Sequence, residues 1–311
     1  MGGYKDRSII TVGVCPAWDV VCLGDSIDWS SHAVVSQSRS VAGKAFNVSR
    51  ALGWMGKQNV AAGLWGEVDF PEMLAEVKSL SDFINVRFTK AAGRTRENIT
   101  VVDSSQNREM HLRSESKLAS VESLAELKKD LAGIVDKKSV CVFAGSMPGG
   151  KFLGEVISII QAVKKCGAKV VVDTSGAALN EIVAVGGIEI LKPNLGELSE
   201  LTGVKVDDEP VAIVKAAKPL LDKVKTIVVT RGEKGAVVVT RDSVIEGRCV
   251  TEKKIVSTVG CGDYFLGGFL CGRNLQDSLS KGLKLAAVRA WGDEQDWGGV
   301  ENEIEVQIKV I

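Results

Sequence analysis

Short apolar runs rich in β-branched residues alternate along this chain with longer stretches in which apolar positions recur every three to four residues. Residues 8–15, 59–64, 139–143, 168–172, 188–191 and 226–229 have the length and composition of strands buried on both faces. Helical periodicity is clearest over 121–135, 152–165, 210–224 and 263–291, and Gly167 is placed to close the second of these. The alternation predicts an α/β fold: a doubly wound, mainly parallel sheet flanked by helices, with ligand sites at the carboxyl ends of its strands.

Two stretches break the rhythm. Over 18–42 and 93–113 polar and apolar residues alternate with no helix between, as in antiparallel strands that turn one face to water. They read either as two long surface hairpins or as a small β-sheet lid projecting from the main layer. No repeat or low-complexity linker interrupts the 311 residues, so a single domain over 1–311 carrying that appendage is expected.

Composition removes several classes of function. Hydrophobic residues make up 45% and charged residues 25%, which disfavours disordered, collagenous and coiled-coil chains. Lys plus Arg and Asp plus Glu number 39 each, so no net field holds a nucleic acid, and any phosphate must be bound locally. No apolar run approaches the roughly 20 residues of a bilayer span, and Met1–Arg7 leads into no secretory segment. Seven cysteines without a C-x-x-C pair point to a reducing compartment without structural zinc. A cytoplasmic protein with no membrane and no nucleic-acid partner is expected. The only histidines, His32 and His111, leave almost no material for Ser-His-Asp or His-metal chemistry, and each is expected simply to sit on a strand.

Four glycine-rich turns carry the candidate chemistry. Residues 145–152 have the spacing of a phosphate-cradling P-loop, but Phe152 stands where a magnesium-binding hydroxyl is needed and Pro148 removes a cradling N–H. What remains there is a loop able to touch another ligand through Ser146. No G-x-G-x-x-G follows the first strand, which disfavours a dinucleotide site.

The second turn, Ser257-Thr258-Val259-Gly260-Cys261-Gly262-Asp263, opens an apolar helix, and its two glycines let consecutive N–H groups converge where the helix dipole favours an anion. Asp263 is there either an ordinary N-terminal cap or a general base that takes a proton from a substrate hydroxyl during phosphoryl transfer. In the third, Lys192-Pro193-Asn194-Leu195-Gly196-Glu197, Asn194 and Glu197 form either a capping box or an oxygen pair near a hydrated magnesium ion. The fourth, Thr230-Arg231-Gly232-Glu233-Lys234-Gly235, is at minimum a hairpin turn.

Taken together and in this order, these segments resemble the ribokinase-like, or PfkB, family of carbohydrate kinases over nearly the whole chain. That family closes on a Gly-Ala-Gly-Asp signature, matched by Gly260, Cys261, Gly262 and Asp263. The resemblance implies that Asp263 is the catalytic base and that the amides of Gly260, Cys261 and Gly262 form the anion hole. It likewise implies that Lys192, Asn194 and Glu197 lie near magnesium and the phosphates of ATP, and that Thr230, Gly232 and Gly235 contact nucleotide phosphates.

The phosphosugar branch, which includes 1-phosphofructokinases and tagatose-6-phosphate kinases, is similar in three further segments. Cys15-Pro16-Ala17-Trp18-Asp19 implies that Asp19 bonds sugar hydroxyls, and residues 42–50 match a glycine-rich segment through Gly43, Lys44 and Asn47. In that segment Ala42 and Ala45 replace glycines, each adding a Cβ expected beside the sugar. Thr95-Arg96-Glu97-Asn98 implies that Arg96 reaches the phosphate already on the sugar, a bidentate contact suited to guanidinium. Ser146 matches the branch's Gly-Ser-x-Pro loop, implying a sugar-side contact. Trp291 and Asp293 stand where relatives keep small residues beside adenine. The implied activity is ATP- and Mg2+-dependent phosphorylation of a sugar phosphate, with fructose 1-phosphate the leading substrate; a kinase for fructose 6-phosphate, tagatose 6-phosphate, another sugar or a nucleoside, and a non-catalytic sensor of sugar phosphate or nucleotide, are the alternative readings. Lids of the family often pair between subunits, which adds a homodimer to the expectations.

Overall fold

The computed structural model describes residues 4, 6–28, 35–106, 108–251, 253–292 and 303–311, so His32 and Asp293 lie outside the described residues. In chain order the first strands and helices are β1 (Ser8–Gly13), β2 (Ala17–Gly24), β3 (Ser36–Ala42), α1 (Lys44–Trp54), β4 (Asn59–Gly66), α2 (Phe70–Leu80) and β5 (Ile84–Ala91). Next come β6 (Glu97–Asp103), β7 (Arg108–Arg113), α3 (Val121–Ala132), β8 (Ser139–Ala144), α4 (Lys151–Lys165), β9 (Lys169–Asp173), α5 (Gly176–Val185) and β10 (Ile188–Leu191). The chain continues through α6 (Leu195–Thr202), α7 (Pro210–Ala217), β11 (Val224–Thr230), β12 (Ala236–Val239) and β13 (Val244–Val250). It finishes on α8 (Cys261–Leu270), α9 (Leu275–Trp291) and β14 (Glu305–Val310).

The larger sheet has the order β14-β13-β12-β11-β10-β9-β8-β1-β4-β5 and is parallel from β11 to β5, with antiparallel strands beyond β11. Its parallel strands read as continuous apolar runs because helices cover both faces; every residue of β8 and β10 is buried. Strand order reverses between β1 and β8, so the crevice of the sheet opens at the carboxyl ends of these central strands.

The two alternating stretches form one smaller sheet, β3-β2-β6-β7, rather than two separate hairpins, and the pairing of β2 with β6 that joins them is parallel. Residues at matched register share a face. One row across the sheet is therefore Ser40, Asp19, Asn98 and Arg113, and the next is Ser38, Val21, Thr100 and His111. His111 is on a strand, as the sequence suggests.

Three predicted helices are shorter than their periodicity, the first of them 121–135, which ends as α3 at Ala132 and is closed by Gly133. The stretch 210–224 leaves the α-helix at Ala217, where Pro219 cannot continue the ladder, and passes through a 3-10 turn into β11. The stretch 263–291 breaks at Cys271 and restarts at Asn274, whose side chain accepts from the Asp277 N–H and caps α9. The break folds α8 back onto α9, and small residues allow the contact: a Cβ on Gly268 would come within 2.5 Å of the Lys281 carbonyl oxygen. On its other side α8 meets α1, where a Cβ on Gly267 would lie 2.6 Å from that of Ala51. The close approach sets Asp263, at the start of α8, beside Asn47 of α1.

Candidate active site

A cavity of about 310 Å³ lies between the carboxyl ends of the large sheet and the inner face of the small one. Strand ends of the large sheet deliver Asp173 (β9), Lys192 (just after β10) and Thr230 (β11), while Gly43, Lys44 and Asn47 come from the start of α1. Asp19, Asn98 and Arg113 line the cavity from the small sheet, and Gly260, Gly262 and Asp263 from the start of α8.

Buried charge organises the floor. Asp173 is completely buried and pairs with two ammonium groups, Lys44 Nζ at 3.1 Å and Lys192 Nζ at 3.0 Å. Burial alone would raise its pKa, but the two lysines outweigh it and hold Asp173 below the ordinary carboxylate range. Burial pulls the Lys44 ammonium down, and the carboxylates of Asp173, Asp263 and Glu197 overcome this and keep it charged. Asp263 has no such partner. Its Oδ2 accepts from Asn47 Nδ2 at 2.8 Å, and burial followed by the charge of Asp173 pushes its pKa up to about 7. A carboxylate poised near neutrality and reached from a cleft has the titration of a general base.

Beside it stands an anion cradle. Gly260 caps α8 at φ +81°, a left-handed conformation that glycine adopts freely. The Asp263 and Tyr264 N–H groups bond the Gly260 carbonyl and that of Cys261 bonds Thr258, while among the described residues the Gly262 N–H takes no backbone partner. A Cβ on Gly262 would lie 3.3 Å from Lys192 Nζ, so a bare backbone amide and an ammonium share the space where a phosphoryl oxygen fits. Cys261 is half-buried and its thiol donates to the Ser257 carbonyl. Burial raises its pKa, so it is a filler rather than a nucleophile.

Asn194 and Glu197 form the reciprocal capping box and also line the cleft. The Glu197 Oε2 is spent on the Asn194 N–H, which leaves Oε1 for a hydrated cation. Among the described residues no group of three or more His, Cys, Asp or Glu side chains is arranged to hold a metal directly. The oxygen donors of Asn194 and Glu197 suit a magnesium ion met through its water shell.

The structure brings together Asp19, Gly43, Lys44, Asn47, Lys192, Asn194, Glu197, Thr230, Gly260, Gly262 and Asp263. Other predicted residues do not reach this cavity. Ser146 is exposed and outside the cleft, although the loop passes close by, since a Cβ on Gly145 would meet that of Lys44 at 3.6 Å. Gly232 and Gly235 also lie away from it. A Cβ on Gly235 would fall 2.0 Å from the Gly247 carbonyl oxygen, so this glycine serves strand approach. Arg96 directs its guanidinium at three main-chain carbonyls, of Cys15 at 3.1 Å, Pro16 at 3.2 Å and Ser114 at 2.7 Å, and does not line the cavity. Ala42 and Ala45 are buried away from the cleft, Ala45 lying 3.3 Å from where Gly13 would carry a Cβ. Trp291 packs beside Tyr264 and Leu285, and Lys253 covers its ring at 4.8 Å.

Sequence reasoning missed Asp173 and Arg113, and quoted Asn98 within the Thr95–Asn98 segment without giving it a role. Asn98 donates to Asp19 Oδ1 at 3.0 Å and so aims that carboxylate into the cleft. A lone carboxylate closing the apolar run Val170-Val171-Val172 was a signal for Asp173, because ligand sites of open parallel sheets lie at such ends.

Residues 7–290 match the pfkB family carbohydrate kinases. A tagatose-6-phosphate kinase of Staphylococcus epidermidis is 27% identical over 97% of this chain and 99% of its own. A 1-phosphofructokinase of Borreliella burgdorferi is 26% identical over 91% of each. The phosphofructokinase-2 of Escherichia coli, solved with fructose-6-phosphate, superposes with a TM-score of 0.85 over 94% of this chain and 98% of that one, at 23% identity.

Proposed function

Because the chain belongs to the pfkB family of carbohydrate kinases, we propose that it transfers the γ-phosphoryl group of ATP to a sugar phosphate, foremost fructose 1-phosphate, giving fructose 1,6-bisphosphate and ADP. One observation carries the reading: the Asp263 carboxylate, with a pKa of about 7, stands next to the Gly262 amide and the Lys192 ammonium.

In this reading Asp19, aimed by Asn98, orients the sugar through its hydroxyls, and Gly43 and Asn47 close the pocket around it. Asn47 holds Asp263 by Oδ2, which leaves Oδ1 to take the proton of the 6-hydroxyl as its oxygen attacks the γ-phosphorus. The bond from that phosphorus to the β–γ bridging oxygen breaks, and ADP departs. The Gly260–Gly262 turn and Lys192 receive the charge that develops on the transferring oxygens. Asn194 and Glu197 would hold magnesium through water, and Thr230 would meet the nucleotide phosphates. The ion, when bound, neutralises the β- and γ-phosphate oxygens.

The chain works as one catalytic domain over 1–311, with the small sheet as a lid over the site. Among the described residues no helix is long and apolar enough to cross a membrane, and the cytoplasm is the compartment that keeps seven unpaired cysteines reduced. Val21 and Leu23, exposed on the face that carries Asp19, extend the lid outward as a surface on which a second copy would pair.

Release of ADP, measured over fructose 1-phosphate, fructose 6-phosphate, tagatose 6-phosphate, ribose and adenosine, tests the reading. Turnover is expected on a phosphorylated sugar, with fructose 1-phosphate giving the highest kcat/KM. Binding of these sugars without ADP release on any of them would contradict catalysis.

A further inference from the structure

Among the described residues three cations line the cleft, and two of them are already engaged. Lys44 and Lys192 both pair with Asp173, and Lys192 also adjoins the anion cradle of α8. Arg113 is the third. It ends β7, and its register partner is Asn98, the residue that aims Asp19.

Every other arginine described in the small sheet and its approach from Thr95 is committed. Arg39 pairs with Glu72 and Glu97, Arg108 with Asp103, and Arg96 with three carbonyls. The Arg113 side chain makes no hydrogen bond or ion pair with the described residues, while its main chain belongs to the β6–β7 ladder. In the neighbouring row His111 lies between Thr100 and Glu109.

We propose that Arg113 grips the phosphate that the sugar already carries. The inference rests on the reading of the substrate as a sugar phosphate. Across the lid, Arg113 lies two strands from Asp19 on the same face, a separation of about 10 Å at the usual spacing of strands. A ligand lying along that row meets a carboxylate suited to hydroxyls at one end and a planar, permanently charged fork suited to a dianion at the other. The two ends thus sort a sugar phosphate by length as well as charge. Arg96 acts instead on the frame, tying the approach to β2 to the segment leaving β7 and so fixing the strand end that presents Arg113.

The test is steady-state kinetics of the wild type, Arg113→Ala and Arg113→Lys with fructose 1-phosphate, fructose 6-phosphate, tagatose 6-phosphate and unphosphorylated fructose, with melting curves as a check on folding. Arg113→Ala is expected to raise KM for the phosphorylated sugar about 10- to 100-fold, the loss of a charge-assisted bidentate contact. KM for ATP and for fructose should stay within about twofold, and lysine should restore part of the loss. A wild type active on sugar phosphates whose KM for them survives Arg113→Ala would overturn the assignment and leave the substrate reading intact. Turnover of unphosphorylated sugars alone would sink both.

Discussion

The floor and the roof of the cleft are built on different principles. Asp173, Lys192 and Asp263 on the floor are buried, and their charges are coupled to one another and to backbone amides at the start of α8. The roof presents half-exposed and exposed side chains, Asp19, Asn98 and Arg113, whose only common frame is the register of four strands. A buried ionic cluster leaves little freedom in where charge develops, which suits the invariant chemistry of phosphoryl transfer. An exposed row on a sheet can exchange one residue for another without disturbing a core, which suits the choice of substrate.

Substitutions on the two sides should therefore fail differently. The largest effect belongs to the floor: Asp263→Asn keeps the shape and the Asn47 contact but removes the proposed base, and kcat should fall by about 100-fold or more, measured as ADP release at saturating substrates. A kcat within threefold of wild type would take Asp263 out of the chemistry and dissolve the distinction between floor and roof. A smaller effect belongs to the roof. Arg96→Ala gives up three bonds to carbonyls in a half-buried setting and should lower stability by about 2 kcal/mol, read from the urea midpoint. An unchanged midpoint, with a large rise in KM for the sugar phosphate, would return the phosphate contact from Arg113 to Arg96.

How legible each side was in the sequence follows from the same contrast. Strands, most helices and the glycine turn that opens α8 were readable because they depend on local signals: apolar runs, periodicity and glycines at a helix start. Gly260–Asp263 and Asn194–Glu197 fall where their spacing placed them, and the capping box is real and lines the cleft as well. Asp173 stayed hidden because its meaning comes from Lys44 and Lys192, 129 and 19 residues away in sequence. Arg113 stayed hidden because its facing depends on how β7 registers against β6, and a slip of one residue would turn it to the other face. Gly235 of the Thr230–Gly235 turn shows the converse, since the close passage of β13 by itself demands a glycine there.

The coupling within the floor is tested most directly by the pH dependence of kcat/KM, compared between the wild type and Asp173→Asn. A base works deprotonated, so activity should fall as pH drops through the Asp263 pKa, with the wild-type limb centred near pH 7. Asp173→Asn removes the charge that helps raise that pKa and frees Lys44 and Lys192 to favour the Asp263 anion, so the limb should move to lower pH. Ionisation of the substrate is the same for both enzymes and cannot produce a difference between them. Superimposable limbs, or a wild-type rate flat from about pH 5 to 8, would contradict the account.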